Sequence, residues 1–147
     1  MDYESPILFL TQKPSKIGKL PLQILVAEDN PSVRGAMRRV LEHANETWQI
    51  IEAGDGSEAI EKAKEFRPDL IILDLVMPTM DGFDAAREIT RILPRIPILM
   101  HTMFSSPMVD LEALSIGVRK VVPKSESEAL VSAVLEILQP NPTACSA

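Results

Sequence analysis

Five polar side chains share a placement that could do chemistry. Glu28 and Asp29 follow a short apolar run at residues 24–27, and Asp74 follows one at 70–73. Thr102 lies just beyond a run at 96–100, and Lys124 just beyond one at 120–122. Carboxylates brought together repel one another and resist ionising at once. A hard divalent cation relieves that repulsion. Mg²⁺ takes oxygen ligands, keeps several waters and commonly binds one or two carboxylates together with phosphate oxygens. Asp29 and Asp74 suit the role of ligands, and Glu28 that of orienting a bound water. A cation there also neutralises phosphoryl oxygens that would otherwise repel a carboxylate. Asp74 can then act as a nucleophile and form an acyl phosphate. Lys124 offers a positive charge to the same phosphoryl group, and the Thr102 hydroxyl offers a hydrogen bond.

Taken singly, each residue has an ordinary reading. An Asp at a strand end is usually a turn or cap residue. Asp29 beside Asn30-Pro31 could be loop chemistry, Thr is common in strands, and a lone Lys is usually a solvated charge. The joint placement behind four different runs is what points to a site for a cation and a phosphoryl group.

The chain that must position these residues alternates five times. Apolar runs occupy residues 24–27, 49–52, 70–73, 96–100 and 120–122. Three of them are nearly continuous in Ile, Leu, Val and Met, as in parallel strands covered by helices on both faces. The intervening segments have helical spacing. Val33, Met37, Val40, Leu41 and Ala44 form one stripe, behind Asn30 as N-cap and Pro31 at the first helical position. Asp55 and Glu58 have capping-box spacing ahead of Ala59, Ile60 and Ala63. A third helix is expected over about 83–93, closed by Pro94. Ser106-Pro107 opens a fourth, which Gly117 stops. Ser125 and Glu128 make a second capping box before Leu130, Ala133, Val134, Ile137 and Leu138. The expected fold is therefore α/β: (βα)₅, a doubly wound five-stranded parallel sheet with helices on both faces. Ligands of such sheets bind beyond the carboxyl ends of the strands, near the switch point.

The 147 residues fit one domain at 22–139, with an N-terminal extension at 1–21 and a flexible tail at 140–147. A hydrophobic content of 46% is enough for one sizeable core. The net charge of -6 argues against a generally basic nucleic-acid-binding surface. Cys145 is the single cysteine, so an internal disulfide or zinc site is excluded, and a free thiol in a reducing compartment is expected. No run approaches the ~18 apolar residues of a membrane span. Asp2 and Glu4 make the N-terminus unlike a signal peptide. A cytoplasmic location follows, with neither membrane nor nucleic acid as a direct partner. The apolar run at 7–10 is a candidate for docking on the domain or on a partner. Arg34, Arg38 and Arg39 read as a solvated helix face, with a docking surface as the alternative.

With these residues in view, the sequence resembles the response-regulator receiver family of two-component signalling, in the CheY-like superfamily. The matching pieces are Ile24-Leu25-Val26-Ala27-Glu28-Asp29-Asn30, Leu70-Ile71-Ile72-Leu73-Asp74-Leu75, Met77-Pro78-Thr79-Met80-Asp81-Gly82 and Thr102. Gly117 through Lys124 continues the match and is most similar to the LuxR-type branch. The resemblance implies a flavodoxin-like strand order of 2-1-3-4-5. It implies Asp74 as phosphoacceptor, and Mg²⁺ held by Glu28, Asp29, Asp74 and the backbone carbonyl of Val76. Thr102 would move toward the phosphoryl group on activation, and Lys124 would anchor it. The donor would be a phosphohistidine on a sensor histidine kinase or phosphotransfer protein. The chain itself would catalyse little beyond its own phosphorylation and dephosphorylation. Its shape change would control a downstream protein target or a fused output domain, and a homodimer is open. The residues after 139 are too few for a DNA-binding helix-turn-helix, and the short Pro-Asn-Pro tail leans toward a stand-alone receiver.

Three positions depart from the family pattern. Val121 stands where a Tyr or Phe is usual, so the ring that swings with the Thr is absent or replaced. Ser125 follows Lys124 where many members have Pro. Met103 follows Thr102 where a small residue is common, and a bulky side chain there could restrict access. Val76 and Phe104, near the path of an attacking water, are apolar, which implies slow self-dephosphorylation. Other readings are weaker. An aspartyl phosphatase would need a second Asp two residues beyond Asp74, where Val76 stands. A flavin carrier would need a Ser/Thr/Gly-rich first loop in place of Glu28-Asp29. A degenerate receiver, acting as a phosphorylation-independent interaction module, is the remaining alternative.

Overall fold

Every residue of the run Leu70–Leu73 is buried, as a strand covered on both faces must be. This run is β3 of a five-stranded sheet in the structure, a computed structural model that describes residues 21–138. The other strands are β1 (Gln23–Ala27), β2 (Gln49–Ala53), β4 (Ile98–Thr102) and β5 (Lys120–Pro123). They alternate with α1 (Pro31–Ala44), α2 (Gly56–Phe66), α3 (Gly82–Ile92), α4 (Pro107–Ile116) and α5 (Ser127–Leu138). All pairings are parallel and the order is β2-β1-β3-β4-β5, so the expected doubly wound (βα)₅ sheet forms. The expectations for residues 1–20 and 139–147 lie outside the described residues.

The period of two along each strand divides the core. Leu25, Ala27, Ile71, Leu73 and Met100 pack with Ala59 of α2, Ala85 of α3 and Ala113 of α4. Ile24, Val26, Leu70, Ile72 and Leu99 pack on the other face with Leu41 of α1 and Leu130 of α5. A slip of one residue would exchange the two sets, so burial on both faces does not by itself fix register. The loops and caps do. Asn30 caps α1 by accepting from the Ser32 and Val33 amides, and Asp55, Asp81 and Ser106 cap α2, α3 and α4. Gly117 closes α4 at a φ of 116°, a left-handed conformation that suits glycine.

Several boundaries differ from expectation by one residue, and two elements differ for a visible reason. The strand expected at 96–100 is β4 at Ile98–Thr102, because the Ile96 amide turns back to the Leu93 carbonyl at 3.2 Å. His101 and Thr102 instead continue the ladder, opposite Val122 and Pro123 of β5. Helix α5 starts at Ser127, later than a cap at Ser125 would place it, because Lys124 and Ser125 form a turn closed by Glu126 N donating to Pro123 O at 3.0 Å. Pro123 is tolerated because β5 is an edge strand.

Candidate functional site

Register builds the site. Ala27 of β1 is opposite Leu73 of β3, so Glu28 and Asp74 emerge side by side, one residue beyond the aligned pair. The Asp74 amide donates to the Ala27 carbonyl at 3.0 Å, which carries the ladder to Asp74 itself. On the other flank Thr102 is opposite Pro123, and the Lys124 amide donates to the Thr102 carbonyl at 2.9 Å. The strand ends thus bring Glu28, Asp29, Asp74 and Lys124 together, with Thr102 at the end of β4 between β3 and β5.

Oxygen atoms of Glu28, Asp29 and Asp74 lie within 4.8 Å of one another. Glu28 and Asp74 are buried, and Asp29 is exposed. Lys124 Nζ reaches Glu28 Oε1 at 2.5 Å and Asp74 Oδ2 at 3.1 Å. The second Glu28 oxygen accepts from the Asn30 amide at 3.1 Å. Burial pushes the Glu28 carboxyl above its usual range, against the pull of Lys124. Burial would lower Lys124, but the hydrogen bond it donates to Glu28 and the charge of Asp74 outweigh it and hold the ammonium above its ordinary value. The donor set is all oxygen and mostly anionic, which suits a hard cation such as Mg²⁺ better than a thiolate- or imidazole-seeking metal. The Lys124 ammonium compensates the two buried carboxylates.

The surrounding backbone is tightly fitted. A Cβ on Gly82 would sit 2.3 Å from the Asp74 carbonyl oxygen and 2.8 Å from Leu75 Cα, so only glycine lets α3 start this close to Asp74. The Gly82 amide donates to the Leu75 carbonyl at 2.7 Å. Thr102 is fully buried, and its Oγ1 accepts from the Phe104 amide at 3.0 Å. Val121 packs inward, on the side of the sheet shared by α2, α3 and α4. Met103 is 75% exposed. Val76 and Phe104 are exposed too.

Three features were not anticipated from the sequence. Of the basic residues expected on a solvated face, Arg39 is exposed, but Arg34 and Arg38 reach across to the sheet. Both pair with Glu52 of β2, at 2.8 Å and 2.6 Å, and Arg34 also donates to the Glu28 carbonyl at 2.7 Å. The conjunction of Arg34, Arg38 and Glu52 is invisible in a linear reading, because the partners belong to different elements. His101, beside Thr102, is buried, and neither of its ring nitrogens has a hydrogen-bond partner among the described residues. Burial and then the Lys124 charge lower its pKa to about 4. Finally, α4 is apolar on its outer side. Met108, Leu111 and Leu114 are exposed there, near Met103 and Phe104 in the preceding loop.

Comparison with known proteins agrees with this geometry. The response regulator receiver domain family matches residues 24–136. The transcriptional regulatory protein LnrK of Bacillus subtilis is 33% identical over 117 residues, covering 79% of this chain and 53% of LnrK. The response regulator protein VraR of Staphylococcus aureus is 35% identical over 108 residues, covering 74% of this chain and 52% of VraR. The chain therefore spans about half the length of these curated relatives. Among solved structures, a LuxR-family two-component response regulator from Aurantimonas superposes with a TM-score of 0.77 at 30% identity, covering 86% of this chain and 94% of that one. The chemotaxis protein CheY4 of Vibrio cholerae superposes with a TM-score of 0.74 at 30% identity, covering 80% and 99%. With five parallel strands in this order, an acidic cluster at their carboxyl ends and a family match over nearly all the described residues, the chain belongs to the response regulator receiver domain family.

Proposed function

We propose that this receiver accepts a phosphoryl group on Asp74 in a Mg²⁺-dependent reaction and changes shape in response. The observation that carries the reading is the convergence of Glu28, Asp29 and Asp74 oxygens within 4.8 Å, with Lys124 Nζ 3.1 Å from Asp74 Oδ2. Glu28, Asp29, Asp74 and the Val76 carbonyl would hold the metal, which when bound supplies positive charge to the phosphoryl oxygens. An Asp74 carboxylate oxygen attacks phosphorus. The bond to the donor's imidazole nitrogen breaks, and the electron pair leaves with that nitrogen, which takes a proton. Lys124 then exchanges its contact with the Asp74 carboxylate for one with a phosphoryl oxygen. The Thr102 hydroxyl turns from the Phe104 amide toward the same group. A sensor histidine kinase or a phosphotransfer protein would be the donor, in the cytoplasm.

The output would pass through the outer face of α4, where Met108, Leu111 and Leu114 offer an apolar surface to a target or a fused domain. This surface adjoins the loop from Thr102, so a movement of the hydroxyl would be felt there. Incubation with acetyl phosphate, with and without Mg²⁺, tests the reading by intact mass. A single phosphoryl adduct that needs the metal and is absent from Asp74→Asn is expected. A folded protein that gains no adduct from acetyl phosphate or from any histidine kinase would favour the degenerate receiver instead.

A further inference from the structure

The backbone of Glu28 is held at both ends by groups that do not belong to its own loop. Its amide donates to the Ala53 carbonyl of β2 at 3.0 Å, and its carbonyl accepts from Arg34 Nη1 of α1 at 2.7 Å. Arg34 is itself held. Its Nε donates to Glu52 Oε1 at 2.8 Å, and the other Glu52 oxygen accepts from Arg38 Nη1 at 2.6 Å. The hydrogen bonds of these two guanidinium groups keep the Glu52 carboxyl below its usual range, so it is ionised at neutral pH. Arg34 and Glu52 are largely shielded, with side chains 20% and 30% exposed. The turn after β2 is fixed beside them, where the Gly54 amide donates to Glu58 Oε1 at 2.7 Å.

We propose that Arg34 is a positioning residue for the metal-binding loop, and that Glu52 holds Arg34 in place. The Glu28 carbonyl is the peptide group joining Glu28 to Asp29. Fixing it fixes the directions in which both carboxylates leave the backbone. Neither Arg34 nor Glu52 touches the place where the oxygens converge, so their effect is geometric. Groups outside the ligand set that orient it commonly change metal affinity by about 10–100-fold when removed. The inference rests on the reading of Glu28, Asp29 and Asp74 as a Mg²⁺ site.

A purely electrostatic role makes the opposite prediction. Arg34 is a cation near a cation site, so deleting its charge alone would tighten Mg²⁺ binding. The test is calorimetric titration of the full chain with Mg²⁺, with thermal unfolding recorded for each variant. Arg34→Ala and Glu52→Ala are expected to weaken Mg²⁺ binding about tenfold. Glu52→Gln, which keeps an oxygen for Arg34 Nε, loses less. Arg34→Lys keeps the charge but cannot span both partners, so it stays weakened, and it serves if the alanine variant does not fold. Unchanged or tighter Mg²⁺ binding in folded Arg34→Lys and Glu52→Ala, whatever their melting temperatures, overturns the proposal. Asp29→Asn separates the two readings. If it binds Mg²⁺ as well as the wild type does, the metal site itself is wrong, and the role of Arg34 falls with it.

Discussion

Lys124 Nζ lies 3.1 Å from Asp74 Oδ2, although their strands, β5 and β3, are separated by β4. The long side chain crosses above the end of β4 to reach the acceptor and Glu28 together. The ammonium thus compensates the two carboxylates that the strand register forces side by side.

Removing that charge has a metal-dependent cost. Lys124→Met leaves Glu28 and Asp74 buried without a cation, which is expected to cost about 3 kcal/mol of stability. The Lys124 pKa is raised in the fold, so its contribution is fully present below the ordinary lysine value of 10.5 and is lost as pH rises through the elevated one. Mg²⁺ should restore part of the loss in the variant, because it binds the folded state alone. Urea denaturation with and without Mg²⁺ measures both. Adduct formation from acetyl phosphate should also slow at least tenfold, or about 1.4 kcal/mol in the barrier.

Gly82 is expected to tolerate no side chain. A Cβ would be 2.3 Å from the Asp74 carbonyl oxygen, so either α3 or the acceptor backbone must move. Gly82→Ala should lose about 2 kcal/mol and form the phosphoryl adduct more slowly. Denaturation and intact-mass kinetics check the two effects separately.

His101 gives the acid limb of the stability curve. Its pKa is lowered in the fold to about 4, from 6.5 when exposed, because burial disfavours the charged ring and Lys124 adds to that. The unfolded chain therefore takes up a proton first as pH falls. The stability from a neutral His101 is complete above 6.5 and is lost as pH falls toward the folded value. Between those limits the wild type should lose about 3 kcal/mol relative to His101→Leu. Parallel denaturation curves of the two proteins down to pH 4 would remove His101 from this role.

Val76 and Phe104, two residues beyond Asp74 and Thr102, are apolar and exposed. Neither can orient a water for attack on an acyl phosphate. The adduct should therefore decay slowly, and Val76→Asn should shorten its half-life several-fold. Decay followed by intact mass after removal of the donor decides this; equal half-lives would assign the slow step elsewhere.

The strands were legible where composition leaves no choice. Leu70–Leu73 reads as a doubly covered strand because each of its residues is apolar, and each is buried. The convergence of Glu28, Asp29, Asp74 and Lys124 was legible through their position after such runs. Ile96 misled because an apolar residue looks the same in a turn as in a strand. His101 was not singled out because no local pattern says that a histidine in β4 will face the core. Arg34 and Glu52 were missed for a different reason: they are paired across α1 and β2, so only the packing of the helix on the sheet reveals them.

The central claim is the identity of the phosphorylated atom. The most direct measurement is borohydride reduction of the acetyl-phosphate-treated protein, followed by peptide mass analysis. An acyl phosphate on Asp74 is reduced there, and homoserine at that one position, dependent on Mg²⁺, is the expected result. Reduction at Glu28, Asp29 or another carboxylate, with Asp74 intact, would contradict it.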